Sequence, residues 1–351
     1  MKPSARETPG SAPGPPPLLW VRRLGVEFPG ERGPVRPVIG VDLEVREGEM
    51  VGLVGESGSG KTLTALALLD LVPAPGRWRG DVVFAGRCLR GASAAERRAL
   101  RGRGIGMVFQ EATAALDPVR TIGSQLRETV RVHRGGGGRA ALEESERLLE
   151  RVAIPDPGAC LRAFPHQLSG GQRQRAMIAL ALACGPRLLL ADEPTTALDV
   201  TLQGEILSLL KRLRAELGIA VLLITHDLAV VAETCDRLLV MYAGAIVEEG
   251  AVDRIFRSPA HPYTRGLVDC LPRLVAGDVH DGRGRSGRDL PFIPGRIPAP
   301  GERPTGCSFH PRCAWAQENC RVEAPELAEI GGRRVSCWRA AELIGLTRIT
   351  R

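Results

Sequence analysis

The chain has few aromatic residues and lacks a long apolar run. Aromatic side chains make up 4% of its 351 residues, and the longest apolar run, Ala176 to Cys184, is followed by Pro186 and Arg187. A transmembrane helix needs about 20 consecutive apolar residues, so the sequence predicts none. Residues 1–17 are rich in Pro, Gly, Ser and Ala and lack the apolar block of a signal peptide. We interpret them as a disordered leader on a protein that stays in the cytosol.

Lysine is also scarce, although the chain is basic. Only Lys2, Lys61 and Lys211 are lysines, while the net charge is +7. The positive charge is scattered and forms no basic stripe with interleaved aromatics, so we expect solvated surface and no nucleic-acid partner. The composition, 44% hydrophobic and 25% charged, is typical of globular domains. No internal repeat is evident, so the chain holds a single copy of its principal unit.

One segment matches the full phosphate-binding pattern G-x-x-x-x-G-K-[ST]. It follows the apolar run 50–54 and precedes the helix-forming run 63–71, which is the strand-then-helix context that this motif needs. The glycines allow successive N–H groups to point at phosphates, and the helix adds the positive end of its dipole. The segment comprises Gly55, Glu56, Ser57, Gly58, Ser59, Gly60, Lys61 and Thr62. We expect Lys61 to neutralise the β and γ phosphates of ATP and Thr62 to supply a hydroxyl to Mg²⁺.

A second segment places two carboxylates at the end of an apolar strand. Residues 188–191 are apolar, and Asp192 and Glu193 follow them. Ligands bind at this edge of a parallel sheet. Asp192 is predicted to hold Mg²⁺ together with Thr62, and Glu193 to orient or deprotonate the attacking water.

A third segment, Leu168-Ser169-Gly170-Gly171-Gln172, lies between these two. In this order and spacing, the three segments resemble the nucleotide-binding subunit of an ABC transporter. The resemblance implies an α/β fold, with a P-loop NTPase core of the ABC type, an antiparallel β subdomain and a helical subdomain. It assigns residues 18–255 to the ATPase domain, with the helical subdomain at about 112–175. Residues 256–351 form a small cysteine-containing C-terminal extension.

The resemblance also implies roles for residues outside the phosphate loop. Gln110 resembles the Q-loop residue that touches metal and water, and His226 resembles the switch histidine at the γ-phosphate. Ser169, Gly170, Gly171 and Gln172 would serve ATP bound to the opposite subunit, and Asp199 belongs to the loop that links the two sites. Taken singly, Gln110 and His226 would more simply be surface or structural residues, and Ser169 also suits a plain helix cap.

Adenine recognition has a single candidate. Phe28 lies about where the family keeps an aromatic ring that stacks on the base. A buried core phenylalanine is the rival interpretation of the same residue.

The C-terminal part narrows the resemblance. Residues 261–264, 293–298 and 306–313 are similar to the extension of oligopeptide/dipeptide permease ATPase subunits, a branch that includes nickel importers. This implies import of peptides, or of a related small solute such as nickel, at the cytoplasmic face of the membrane. The implied partners are two transmembrane permeases, a second ATPase subunit of different sequence and an extracytoplasmic binding protein. A soluble ABC-type ATPase acting on nucleic acid or the ribosome is the alternative. Residues 111–118 depart from the family pattern in the segment that faces the permease.

Four of the nine cysteines crowd into the C-terminal extension. They are Cys307, Cys313, Cys320 and Cys337. Disulfides are rare in cytosolic chains, and four thiolates suit either zinc or an iron–sulfur cluster. Zinc sites usually pair cysteines at short spacing, and the resemblance to permease ATPases implies a [4Fe–4S] cluster. We therefore predict a [4Fe–4S] cluster, with zinc as its alternative and unligated thiols as a third possibility.

Overall fold

The structure is a computed structural model that describes residues 15–31, 33–111, 115–135, 137–196, 198–271 and 292–345. Most of the predicted leader, part of the permease-facing segment and the last six residues lie outside this range. The strands are β1 (Leu19–Phe28), β2 (Val35–Val45), β3 (Met50–Val54), β4 (Arg77–Phe84), β5 (Arg87–Cys88), β6 (Ile105–Val108), β7 (Leu188–Asp192), β8 (Ala220–Thr225), β9 (Arg237–Tyr242), β10 (Ala245–Ala251), β11 (Ala328–Ile330) and β12 (Arg333–Val335). The α-helices are α1 (Lys61–Leu68), α2 (Ala94–Arg103), α3 (Ile122–Arg134), α4 (Gly138–Arg151), α5 (Pro157–Arg162), α6 (Gly170–Leu182), α7 (Val200–Leu217), α8 (Leu228–Thr234), α9 (Val252–Arg257), α10 (Pro262–Asp269), α11 (Glu318–Val322) and α12 (Ala340–Gly345).

A mixed eight-stranded sheet forms the centre of the described structure, in the order β11-β12-β10-β9-β3-β8-β7-β6. Strands β9, β3, β8, β7 and β6 run parallel, and β10, β12 and β11 add antiparallel pairs at one side. Every residue of β3, β6, β7 and β8 is buried. Parallel strands covered on both faces need such continuous apolar runs, which is why these segments lack the alternation of a half-exposed strand.

A second, antiparallel sheet covers one face of the central sheet. Its strand order is β2-β1-β4-β5. Side chains such as Val21 and Val41 pack in one apolar cluster with Leu53 of β3 and Leu68 of α1. The small sheet therefore lies over the strand and helix that flank the phosphate loop.

Helices α3 to α6 pack with α7 in a separate apolar cluster on the opposite face of the central sheet. Leu126, Leu148 and Ile178 belong to it and are almost fully buried. A glycine-rich run lies between α3 and α4, and its Gly136 is outside the described residues. Helix α6, which carries the third motif, is thus anchored by an apolar face.

The C-terminal residues continue the central sheet. Strand β12 pairs with β10, and Arg333 of β12 lies 3.4 Å from the buried carboxylate of Glu248 in β10. Phe309 packs in an apolar cluster with Tyr242 of β9 and Tyr263 of α10. Among the described residues, no helix is both long enough and apolar enough to cross a membrane.

Candidate functional site

The phosphate loop connects β3 to α1 in a conformation that only glycine permits at its ends. A Cβ on Gly55 would lie 2.1 Å from the carbonyl oxygen of Met241. Gly60 has φ of +104° and directly precedes α1, and a Cβ there would lie 2.7 Å from the carbonyl oxygen of Pro37. The loop is therefore fixed between β9 and β2, with its helix N-terminus available for an anion.

Lys61 is buried at the bottom of this loop. Its Nζ donates to the carbonyl oxygens of Gly55 at 2.8 Å and Glu56 at 3.0 Å, which leaves one further ammonium donor. Burial lowers the pKa of Lys61, while the carboxylates of Glu193, Asp192 and Glu56 oppose that shift. An anionic ligand beside the ammonium would offset the cost of burying it.

Asp192 lies at the end of β7, where the sequence placed a metal ligand. Burial raises its pKa, and hydrogen bonding from Thr62 partly opposes this effect. Asp192 Oδ1 and the hydroxyl of Ser59 in the loop are buried without a hydrogen-bond partner among the described residues. Such unpartnered buried atoms are uncommon in proteins, and oxygen donors of this type suit Mg²⁺. The donor set therefore fits a Mg²⁺–phosphate ligand.

Glu193 collects three side chains from different parts of the chain. Its Oε2 accepts from Gln110 Nε2 at 3.2 Å and from the Thr196 hydroxyl at 2.8 Å. Its Oε1 lies 3.3 Å from Nδ1 of His226. The backbone of Glu193 has φ of +46°, a region that costs energy for a non-glycine residue. Its N–H donates to the Ile224 carbonyl at 2.8 Å, so the surroundings hold this conformation.

The structure thus brings Gln110 and His226 to Glu193. Their roles at the metal, the water and the γ-phosphate stay predictions. The sequence reasoning missed Thr196. In the sequence, only its position three residues after Glu193 could have suggested Thr196. Residues at that spacing often make no contact.

The Ser169 segment has a different environment. The Ser169 hydroxyl accepts from the N–H of Gln172 at 3.2 Å, and the Gln172 side chain accepts from the N–H of Ser169 at 3.0 Å. This reciprocal capping box begins α6. Gly170 faces Leu198, which precedes α7, and Gly171 faces Leu202 in the first turn of α7. Within the described part of the chain, the hydrogen bonds of Ser169 stay in its own helix and none reaches the phosphate loop.

Asp199 begins α7 as its cap. Its carboxylate accepts from the N–H of Leu202 at 2.9 Å. The neighbouring Ala197 lies outside the described residues, so the linking loop is described only in part.

Phe28 ends β1, opposite Val35 of β2. It is half-buried against the apolar cluster of the small sheet, and its ring lies against Gly76, where a Cβ would come within 2.4 Å. Pro37, on the same strand as Val35, contacts the phosphate loop at Gly60. The ring therefore packs in part on the core, and the strand that pairs with Phe28 reaches the phosphate loop.

The chain is similar to known ABC transporter proteins over most of its length. The family model for ABC transporter matches residues 38–196, and the model for the oligopeptide/dipeptide transporter C-terminal region matches residues 247–320. A probable peptide ABC transporter ATP-binding protein of Sinorhizobium fredii is 48% identical over 94% of this chain and 97% of its own length. The dipeptide transport ATP-binding protein of Escherichia coli is 44% identical over 91% of this chain and 96% of its own length.

The chain belongs to the peptide ABC transporter ATP-binding protein family. Among solved structures, a dimeric bacterial ABC transporter cassette matches with a TM-score of 0.59 and 29% identity, over 67% of this chain and 99% of its own. A dimeric cassette in a post-hydrolysis state, bound to ADP and Pi, matches with a TM-score of 0.58 and 28% identity, over 67% and 99%. The predicted α/β ABC-type core is confirmed, and the protein is an ATPase. These matches do not favour the alternative of a soluble ATPase for nucleic acid or ribosome, nor a nickel cargo.

The predicted [4Fe–4S] cluster, with its zinc alternative, is wrong. Among the described residues, no group of three or more His, Cys, Asp or Glu side chains is arranged to hold a metal ion. The matching family descriptions name an ABC transporter and a transporter C-terminal region, and neither names a cluster. Cys307, Cys313, Cys320 and Cys337 line one cavity of about 20 Å³, room for about one water molecule.

Three of these thiols are protonated at neutral pH. Burial raises the pKa of Cys307 and Cys313, and it raises the pKa of Cys337 to about 11. The cavity that they line is surrounded mainly by apolar groups such as Phe309 and Pro325.

Proposed function

We propose that this ATPase powers the import of peptides through a membrane ABC transporter. The observation that carries the proposal is the match of residues 247–320 to the oligopeptide/dipeptide transporter C-terminal region. Relatives named for peptide or dipeptide transport align with more than nine-tenths of the chain, so the support does not come from the shared ATPase core alone.

The proposed partners follow from this function. Two transmembrane permease subunits would form the path, and an extracytoplasmic binding protein would deliver the peptide. A second ABC ATPase subunit, of different sequence, would pair with this chain. The chain would lie peripherally at the cytoplasmic face of the membrane. The names of the relatives and the dimeric solved cassettes support this arrangement.

The phosphate loop and the strand ends supply the chemistry of hydrolysis. Loop N–H groups and Lys61 would bind the β and γ phosphates. Thr62, Asp192 and Gln110 would hold Mg²⁺, whose charge neutralises the phosphate oxygens when it is bound. Within this assignment, residues 18–255 form the ATPase domain, and Phe28 would stack on the adenine.

Glu193 would direct the attacking water. Its carboxylate accepts a proton from the water as the water oxygen bonds to the γ-phosphorus, and the bond to the ADP oxygen breaks. The contacts from Gln110 and Thr196 fix the orientation of this carboxylate. His226, close to the other carboxylate oxygen, would contact the γ-phosphate.

The Ser169 segment would complete the site of the partner subunit. Ser169, Gly170, Gly171 and Gln172 lie at the N-terminus of α6, where backbone N–H groups and the helix dipole favour an anion. We assign that anion to the γ-phosphate of ATP bound by the partner. Asp199 caps α7, whose first turn faces Gly171, and would link the two sites.

Uptake measurements test the proposed cargo. Cells lacking this chain should lose uptake of radiolabelled dipeptides or oligopeptides, and the wild-type chain should restore it whereas Glu193→Gln should not. Uptake of free amino acids and of ⁶³Ni²⁺ in the same cells provides the specificity controls. Restored nickel uptake without any peptide uptake would contradict the proposal.

A further inference from the structure

The phosphate loop carries a carboxylate, Glu56, in a position where its charge opposes nucleotide binding. Glu56 directly follows Gly55, and its backbone carbonyl accepts a hydrogen bond from Lys61 at 3.0 Å. Its charge reaches the Lys61 ammonium. A negative charge in a loop that is to hold phosphates is repulsive unless a cation compensates it.

That cation comes from the C-terminal extension. Nη1 of Arg312 lies 3.0 and 3.2 Å from the two carboxylate oxygens of Glu56, although the residues are 256 positions apart. The side chain of Arg312 is 7% exposed, and that of Glu56 is 30% exposed. A charge pair this withdrawn from water is screened much less than a surface pair.

Arg312 is itself held in a fixed position. Its guanidinium carbon lies 5.7 Å from the ring centre of Tyr242 and 5.9 Å from that of Phe309. Its Nε donates to the carbonyl oxygen of Pro294 at 2.7 Å. Stacking and hydrogen bonding of this kind orient a guanidinium, so Arg312 cannot easily follow Glu56 if the loop moves.

The backbone of Glu56 has a second anchor in the same region. Its N–H donates to the hydroxyl of Tyr263 at 2.9 Å, and Tyr263 is fully buried. Helix α10, which carries Tyr263, begins at a buried cap: Nδ1 of His261 accepts from the Tyr263 N–H at 3.0 Å. Glu248 accepts from the N–H groups of Ala260 and His261, both at 2.9 Å.

We propose that the C-terminal extension sets the nucleotide affinity of the phosphate loop through Glu56. Arg312 is the counter-ion that cancels the Glu56 charge, and Tyr263 holds the Glu56 backbone. Both are positioning residues, since they act through the loop. The inference rests on the proposed function of residues 55–62 as the ATP site, and it adds that residues beyond the ATPase core control that site.

A double-mutant cycle on the full-length purified chain tests the counter-ion role. Arg312→Gln leaves the Glu56 charge uncompensated, so the Kd for ATP should rise about tenfold, the size typical of a lost hydrogen bond to a charged group. The rise should be smaller for ADP, which carries less charge. In a Glu56→Gln background, the same Arg312→Gln change should alter the Kd less than about twofold.

The controls separate charge from folding. Arg257→Gln removes a guanidinium from an exposed pair with Asp253 and should leave the Kd unchanged. Arg312→Lys keeps the charge and should bind ATP within about threefold of the wild type, with thermal unfolding recorded for every variant. If Arg312→Gln does not fold, Tyr263→Phe, which removes one hydroxyl and no charge, should still raise the Kd for ATP about threefold.

Two results overturn the inference. One is an unchanged Kd in both Arg312→Gln and Tyr263→Phe, and the other is an equal loss of affinity in the wild-type and Glu56→Gln backgrounds. Lys61→Ala separates this failure from failure of the ATP-site assignment. If Lys61→Ala abolishes ATP binding while Arg312→Gln and Tyr263→Phe do not affect it, only the role of the extension is wrong. If Lys61→Ala also binds ATP normally, the site assignment and the inference fail together.

Discussion

At the residue scale, the phosphate-loop site holds charged side chains that are buried from water. Lys61 is 5% exposed and Asp192 is 1% exposed, so electrostatic interactions between them and a ligand are weakly screened. The Ser59 hydroxyl and Asp192 Oδ1 have no hydrogen-bond partner in the described part of the chain. A bound phosphate would compensate the charge of Lys61, and its Mg²⁺ would compensate the charge of Asp192.

Substitution of Lys61 should therefore affect binding before turnover. Lys61→Ala removes the buried ammonium, and we expect the Kd for ATP to rise by more than about tenfold, since hydrogen bonds to charged groups are the stronger class. Lys211→Ala is the matched control, because Lys211 is an exposed lysine on α7. Equilibrium binding of a fluorescent ATP analogue measures both variants, and equal affinities would contradict the role of Lys61.

The sequence could predict those side chains whose roles follow from nearby neighbours. The phosphate loop was recognisable because the strand, the glycines and the lysine are contiguous. Arg312 and Tyr263 were within segments noted for their resemblance, but their contacts with Glu56 span 256 and 207 residues. No local periodicity encodes a contact of that range, so only the folded chain could place them beside the loop.

At the element scale, the buried strands were predictable and the C-terminal pairings were not. Strands β3, β7 and β8 are continuous apolar runs, whereas β11 and β12 are three residues each and carry polar side chains. The four-cysteine prediction failed for a related reason. Spacing along the chain suggests that the four thiols lie close together. It does not reveal the volume of the cavity between them. The folded chain leaves about 20 Å³ there.

The cap of α10 should make stability depend on pH. His261 is fully buried and neutral, because burial lowers its pKa from 6.5 to about 3. The unfolded state binds a proton as the pH falls below about 6.5 and the folded state does not, so this contribution to stability is present above 6.5 and is lost toward pH 3. The loss is about 1.4 kcal/mol per pH unit for one such group.

His261→Asn tests this assignment. Asparagine keeps an acceptor for the N-terminus of α10 but does not titrate. Between pH 6 and pH 4, the free energy of unfolding should fall less in the variant than in the wild type, by about 2 kcal/mol. Urea unfolding at several pH values measures it, and parallel pH profiles for both proteins would count against a buried neutral histidine.

At the scale of the whole molecule, the chain would contribute two different half-sites to a dimer of ATPase subunits. The phosphate loop lies at the end of β3, and the Ser169 segment begins α6 in the helical part, with hydrogen bonds inside its own helix. Dimeric solved cassettes resemble this chain. We therefore expect the two half-sites to act together only when a partner subunit is present.

Ser169→Arg should separate nucleotide binding from hydrolysis. The bulky cation would block closure onto the partner's ATP, so hydrolysis by the assembled pair should fall at least about 100-fold, the scale of losing one stabilising donor group in a site. ATP binding to the isolated chain should stay within about twofold. Ser93→Arg is the matched control, because Ser93 forms the same type of capping box at α2. Loss of ATP binding by isolated Ser169→Arg would show that Ser169 serves its own loop.

Turnover of Glu193→Gln in the assembled pair tests the central claim most directly. If Glu193 accepts the proton of the attacking water, the variant should bind ATP normally but release phosphate at least about 100-fold more slowly, as expected for loss of a general base. ATP should then hold the closed two-subunit form, visible as a stable dimer by light scattering. Glu216→Gln, at an exposed position on α7, should hydrolyse ATP normally. Phosphate release by Glu193→Gln at the wild-type rate would contradict the account.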